Sequence, residues 1–335
     1  MATPETELPI VEPEPIQPPT PPTESPAKSF IPPTQGEVIT SELSGNTYTM
    51  GEKIGEGSFG QVYACVDVWN NELAVKILKP LKPYEQVKAS AQAEIQKLVL
   101  LRHPYITYVF DAFEYRDTIY IITERCYRPL ADFFSMEWFH GHLWIRAIAR
   151  CLLQAVHFTH LNEFVHQDIH VGNVFAALAK DEMVPDNPGS LQFKLGDLGV
   201  AKVFGELDAA NTRAQWMLPP EVIEPSEFGP LDHRIDIYHC GLLFLQLAYS
   251  RVLQFTPEEI RAGIPWEMAR ELAAPLNFAL EKALRRHAQY RTASAMELWR
   301  DLNSPGVSEE AATEQAQLQD TTQPNPGTAA APKPE

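Results

Sequence analysis

The chain is short of cysteine, of long apolar runs and of positive charge, and each shortage removes a class of protein. Its four cysteines, Cys65, Cys126, Cys151 and Cys240, are scattered with no Cys-x-x-Cys spacing, so there is no disulfide framework to read, and a reducing, cytoplasmic setting is expected. The longest apolar run, Cys240 to Tyr249, contains Gln246 and falls short of the ~20 residues that span a bilayer. It reads as a buried helix, and no membrane partner is expected. Lys and Arg number 27 against 44 Asp and Glu, a formal charge of -17. So acidic a balance argues against nucleic acid as a partner and mildly favours basic peptides.

Aromatic residues are scarce at both ends. Residues 1–45 hold eleven of the 29 prolines, no Trp, Tyr or Cys, and seven acids against the single Lys28. Such a stretch buries too little apolar surface to offset the entropy of ordering, and reads as a disordered, partly polyproline arm. It is suited to docking on aromatic-lined modules or to acting as a spacer. Residues 304–335 contain no aromatic side chain and read as a second disordered tail. Neither stretch carries an apolar signal core.

Between the ends, 44% hydrophobic residues suffice for a sizeable core. Tyr48 to Ile77 alternates like an antiparallel meander, with Ile54, Val62, Ala64, Val66 and Val68 punctuated by Gly and Asn-Asn. A helix is expected over Tyr84 to Leu101, then strands near Ile106 to Phe113 and Thr118 to Thr123. Helical periodicity dominates afterwards, over Leu143 to Asn162, Ile235 to Tyr249, Pro257 to Arg261, Ala274 to Arg286 and Ala293 to Leu302. A surface loop is expected at Lys180 to Ser190.

The stretch His166-Gln167-Asp168-Ile169-His170-Val171-Gly172-Asn173 is followed by Asp197-Leu198-Gly199. A carboxylate that can accept a hydroxyl proton, an amide oxygen five residues on and a later carboxylate suit transfer of a phosphoryl group from a metal-bound nucleoside triphosphate. Upstream, Gly55-Glu56-Gly57-Ser58-Phe59-Gly60 opens onto alternating Val62, Ala64 and Val66. The glycines therefore join two strands, unlike a dinucleotide fold, where the third glycine opens a helix. Lys76, inside the apolar strand Ala74-Val75-Lys76-Ile77, needs a partner to sit there, and Glu94 on the following helix is the natural one.

With Pro219-Pro220-Glu221, Asp236 and Arg291 added in the same order, the chain from about Tyr48 to Leu302 resembles the eukaryotic-like protein kinases. The resemblance implies an α+β, bilobal protein-kinase-like fold: a small antiparallel-sheet N-lobe with one main helix over 46–124, and a larger, mainly helical C-lobe over 125–303, between disordered termini. It implies that Asp168 is the catalytic base, that Asn173 and Asp197 hold Mg²⁺, and that Lys76 paired to Glu94 positions the phosphates of ATP. Ile54, Gly55, Gly57, Gly60, Val62 and Ala74 would cover the nucleotide, Phe175 would lie beneath it, and the backbone around Glu124 and Cys126 would meet the adenine edge. Asp236 would bond the catalytic-loop backbone and Arg291 would pair with Glu221.

Two positions depart from the usual wording. Gln167 stands where many kinases carry an arginine that clamps a phosphorylated activation segment, and an amide cannot make that bidentate contact. With Thr212 the only hydroxyl side chain between Asp197 and Glu221, activity is expected not to depend on phosphorylation of that segment. His170 stands where serine/threonine kinases carry a lysine, and with Gly172 and Asn173 it resembles the loop of aminoglycoside and choline phosphotransferases. The expected function is an ATP- and Mg²⁺-dependent serine/threonine kinase acting on proteins, itself included, with Asp168, Lys76, Glu94 and His170 as the catalytic set. A pseudokinase scaffold and a small-molecule phosphotransferase stay open as alternatives.

Overall fold

Pairs of strands with apolar residues on alternate positions account for most of the described chain up to Glu124. In the computed structural model of the protein, residues 31–57, 60–79, 101–179, 189–198, 202–204, 207 and 217–304 are described. The helix expected over Tyr84 to Leu101, with Glu94, and the Lys180 to Ser190 loop lie outside these residues except at their last one or two positions. So does Thr212.

Six strands, β1 (Val38–Thr40), β2 (Thr47–Glu56), β3 (Gly60–Asp67), β4 (Glu72–Leu78), β5 (Val109–Tyr115) and β6 (Thr118–Glu124), form one antiparallel sheet in the order β1-β2-β3-β4-β6-β5. The β3–β4 turn closes because the Asp67 carboxylate accepts the backbone N–H groups of Trp69 and Asn71 at 2.9 Å each, while Asn70 takes the left-handed backbone that Asn tolerates. The sheet curls until its two ends meet. Tyr48 on β2 stacks on Phe113 of β5 at 5.9 Å, its hydroxyl donates to Asp111 at 3.0 Å, and Ile39, Met50, Val75 and Tyr120 fill the interior.

β1 lies inside the stretch read from composition as a disordered arm. Composition is a local property, whereas this strand is held by β2, with Val38 opposite Thr49 and Thr40 opposite Thr47, and by Ile39, which is 1% exposed.

Beyond Glu124 come β7 (Arg128–Pro129), α1 (Leu130–Phe133), α2 (Gly141–Leu161), β8 (Phe164–Val165), β9 (Val174–Ala179), β10 (Ser190–Leu195) and β11 (Lys202–Val203). They are followed by α3 (Pro220–Ile223), α4 (Pro225–Phe228), α5 (Arg234–Ala248), α6 (Pro257–Ala262), α7 (Ile264–Arg270), α8 (Leu276–Ala283) and α9 (Ala295–Asn303). Every residue of α5 from Ile235 to Leu247 is buried, as a helix that is apolar all round must be. The amphipathic α2 packs Ile145, Ile148, Leu152 and Val156 into the same core. The long periodic helices match their expected spans to within a few residues, Ala274 to Arg286 shortening to α8. The four-residue α1 is too short for periodicity to reveal, and α7, which follows α6 across the left-handed Gly263, was not anticipated. Among the described residues no helix is long and apolar enough to cross a membrane.

Glu221, at the start of α3, and Arg291 form a bidentate ion pair with both side chains wholly buried. Arg291 also donates to the carbonyls of Arg285 and Arg286, at 2.7 and 2.9 Å, and lies 4.6 Å from the centre of the Tyr238 ring. Replacing one partner leaves the other charge buried and alone. Glu221→Ala should therefore lose about 3–5 kcal/mol of stability, read from the denaturant midpoint, and a paired Glu221→Met, Arg291→Leu change should lose less. Equal losses would show that the pairing does not matter.

Candidate active site

The turn between β8 and β9 carries the chemistry, and a buried carboxylate beneath it sets its shape. Asp236, on the first turn of α5, accepts the backbone N–H groups of His166 and Gln167 at 2.8 Å each. A third bond at 2.8 Å joins it to Nε2 of His160. Burial alone would raise the Asp236 pKa, but the hydrogen bond from His160, the nearby His166 ring and its backbone donor hold it below the ordinary carboxylate value. Because the carboxylate is ionised, the His160 nitrogen is the donor. Gln167 is held at φ 67 and is 2% exposed, a left-handed backbone that the two bonds to Asp236 stabilise.

His166 is wholly buried. Its Nδ1 accepts the N–H of Asp168 at 3.3 Å, so the ring proton is on Nε2, which donates to the carbonyl of Gly196 at 3.0 Å. The ring thereby ties the Asp168 turn to the segment that carries Asp197. Asn173 closes the turn from the other side. Its amide nitrogen donates to the Asp168 carbonyl at 2.9 Å and to Asp168 Oδ2 at 3.2 Å, bonds in which its amide oxygen takes no part.

His170 is oriented by its own loop. The N–H of Gly172 donates to His170 Nδ1 at 3.0 Å, which places the ring proton on Nε2, 3.6 Å from Asp168 Oδ2. That distance is an electrostatic contact, too long for a hydrogen bond. Burial would raise the Asp168 pKa, but the neighbouring His170 ring, and after it His166, hold it below the ordinary value. A Cβ on residue 172 would lie 2.8 Å from His170 Cε1, so this ring position requires glycine.

Lys76, on β4 between the buried Val75 and Ile77, extends to Asp197 Oδ1 at 2.8 Å. Asp197 has φ 55, and its half-exposed carboxylate faces a cleft of about 640 Å³ between the sheet and the helical lobe. Ile54, Gly55, Gly57, Gly60, Val62 and Ala74 line one side of that cleft, and Cys126, Phe175, Asn173 and Asp197 line the others. Asp168 and His170 stand outside it, joined to it by Asn173. Glu124 does not line it, contrary to expectation: its N–H donates to the Tyr108 carbonyl at 2.9 Å, and its carboxylate is held by Lys194 at 2.7 Å. Burial pushes the Cys126 thiol up to about 12.

Thr107, Arg125, Arg128 and Asp132 also line the cleft and were not anticipated. Arg128 is placed there by β7, whose pairing with β9 sets Arg128 opposite Ala176 and Pro129 opposite Phe175. Only their nearness to Cys126 in the sequence could have drawn notice to the three charged ones. His239, one turn after Asp236, was likewise unforeseen. It is 3% exposed, its Nδ1 has no partner among the described residues, and burial lowers its pKa, so the ring is neutral. Val109 and Leu198 are buried in one core with Ile169 and Val171 of the catalytic turn.

Comparison with known proteins agrees with this geometry. Residues 48–302 match the protein kinase domain family. The chain is 27% identical over 260 residues to serine/threonine-protein kinase 10 of Danio rerio, covering 72% of this chain and 25% of that protein. It is 27% identical over 203 residues to the Homo sapiens protein of the same name, covering 58% and 20%. With cyclin-dependent kinase D-1 of Arabidopsis thaliana it is 26% identical over 211 residues, covering 61% and 49%. The matched stretches thus span half or less of each relative.

The floor of the cleft offers a test. A Cβ on Gly196 would fall 2.6 Å from Phe175 Cε2, so Gly196→Ala must push the ring upward into the cleft. Overpacking of this kind costs about 1–3 kcal/mol, and nucleotide binding measured by calorimetry should weaken by roughly tenfold. An unchanged dissociation constant would mean that Phe175 does not form the floor.

Proposed function

The chain belongs to the protein kinase domain family, and from that membership we propose that it is an ATP- and Mg²⁺-dependent protein kinase that phosphorylates serine and threonine hydroxyls. The observation that carries the reading is the Asp236-clamped turn, which holds Asp168, His170 and Asn173 beside the cleft that contains Lys76 and Asp197.

The residues fit the nucleotide and its metal. Beside the Asp168 turn the cleft offers the Asp197 carboxylate and the Asn173 amide, and no cluster of three or more His, Cys, Asp or Glu able to hold a metal exists among the described residues. That is the sparse donor set Mg²⁺ uses when phosphate oxygens complete its shell. When bound, the cation would neutralise charge on the phosphates. Asn173 and Asp197 would hold it, and Lys76 would meet the inner phosphates. Asp168, kept ionised by the histidines around it, is the group to orient an acceptor hydroxyl and take its proton. His170 presents an Nε2–H donor where a lysine would present a full charge, and a neutral donor stabilises the transferring phosphoryl less.

Two observations support activity without phosphorylation of the activation segment. Gln167 offers no guanidinium for a phosphate. Its described part, residues 202–204, is anchored by other means: β11 pairs with β8, the Phe204 N–H donates to Glu163 O at 2.9 Å, and the Phe204 ring stacks on His233 at 5.3 Å. The buried Glu221–Arg291 pair next to this segment supports a protein substrate over a small molecule.

A labelled-ATP assay with basic protein tests the whole reading. Wild type should transfer phosphate to serine or threonine, and Asp168→Asn should lose about 10²–10⁴ in rate. Thr212→Ala should retain activity, and His170→Lys should raise kcat by up to about tenfold, the gain that ~1.4 kcal/mol provides. Transfer to small alcohols or aminoglycosides in place of protein, or none at all, would overturn the assignment.

A further inference from the structure

The two ends of the curled sheet are joined by side chains alone, and one of those side chains is an exposed serine. Between β1 and β2 the chain makes a tight loop. Ser41 is wholly buried, residues 42–46 are all exposed, and Gly45 takes a left-handed φ of 75. From this loop Ser44 Oγ donates to Asp111 Oδ2 at 2.6 Å, across 67 residues of sequence. The same oxygen of Asp111 receives the Tyr48 hydroxyl at 3.0 Å, and Asp111 Oδ1 takes the Ala112 N–H at 2.8 Å. Among the described residues no cation contacts Asp111 or Ser44. A second bridge, Arg116 to Glu37 at 2.6 Å, secures the seam nearby.

We propose that Ser44 is a phosphoacceptor whose modification opens this seam. The serine oxygen would form a bond to the γ-phosphorus of ATP as the bond to the ADP oxygen breaks, and the hydroxyl proton would leave to the acting kinase's carboxylate and then to solvent. The hydroxyl that donates to Asp111 is lost. In its place stands a group of charge about -1.5 to -2, facing a carboxylate that no cation contacts among the described residues, so attraction becomes repulsion across the seam.

The strand on the far side leads to the cleft. Asp111 follows a register shift after Val109. Two residues before Val109, Thr107 lines the cleft, and Tyr108 donates its N–H to the Glu124 carboxylate at 3.0 Å. Loosening β5 at Asp111 therefore reaches the nucleotide within four residues. The phosphate acts on the sheet and leaves Gln167 and the activation segment untouched. The latch does not require this chain's own activity, since any serine/threonine kinase can supply the group, a second copy of this chain included.

The test has two arms. In the first, the Asp168→Asn chain is incubated with ATP and Mg²⁺ and either the wild-type chain or an unrelated serine/threonine kinase, and phosphopeptides are mapped. Phosphate on Ser44 in either mixture supports the proposal, and its absence from both overturns it. The wild-type mixture is scored separately on basic protein, so an inactive chain is recognised as such. In the second arm, melting temperature and ATP affinity are compared for Ser44→Ala, Ser44→Glu, and Ser44→Glu with Asp111→Asn. Ser44→Glu should melt about 2–4 °C below Ser44→Ala and bind ATP several-fold more weakly, and Asp111→Asn should restore both. If Ser44→Glu matches Ser44→Ala, or if Asp111→Asn restores nothing, the latch is refuted.

Discussion

The carboxylate of Asp236, wholly buried on α5, accepts hydrogen bonds from the backbone of His166 and Gln167 and from the His160 ring, and those three bonds fix the turn that carries Asp168. A buried charge without partners would be strongly unfavourable, so the turn is as necessary to Asp236 as Asp236 is to the turn. The left-handed backbone at Gln167 persists because both neighbouring N–H groups are committed to one acceptor. His166 and Asn173 pass that rigidity on, through the Gly196 carbonyl and the Asp168 side chain, to the two groups nearest the reaction.

α5 also faces the other way. Three positions after Asp236 the helix places His239, and between them Tyr238 presents its ring to Arg291, the partner of Glu221. One helix thus holds the catalytic turn with a carboxylate and supports the substrate-side ion pair with an aromatic ring. The sheet contributes differently. It is held to itself by a curled core and by polar bridges at its seam, so its strands can respond to surface chemistry that the buried helix cannot sense.

Much of this site was legible because chemistry restricts residue types at fixed spacing. Phosphoryl transfer needs a carboxylate, an amide and a second carboxylate on one turn and the next strand end, and Asp168, Asn173 and Asp197 have no cheaper explanation. Lys76 stood out because an ammonium inside an apolar strand requires a partner. The partner the structure describes, Asp197, is 121 residues away, a separation that local reasoning does not reach, while the expected partner Glu94 lies outside the described residues. Arg128 and Asp132 enter the cleft through the pairing of β7 with β9, and a two-residue strand leaves no periodicity to read. β1 was missed for a related reason: its order comes from a partner strand and from one buried isoleucine, within a stretch whose average composition suggests no order. The glycine at 196 gave no sign of its importance, since the clash it avoids exists only once Phe175 has been folded against it.

Cys126 shows what burial does to a reactive group placed beside a ligand. Its thiol lies in the wall of the nucleotide cleft, yet with a pKa of about 12 only about one molecule in 10⁵ carries the thiolate at pH 7. Electrophiles and peroxides react with the thiolate and scarcely with the thiol. The cleft therefore keeps a sulfur for its packing while withholding its nucleophilicity.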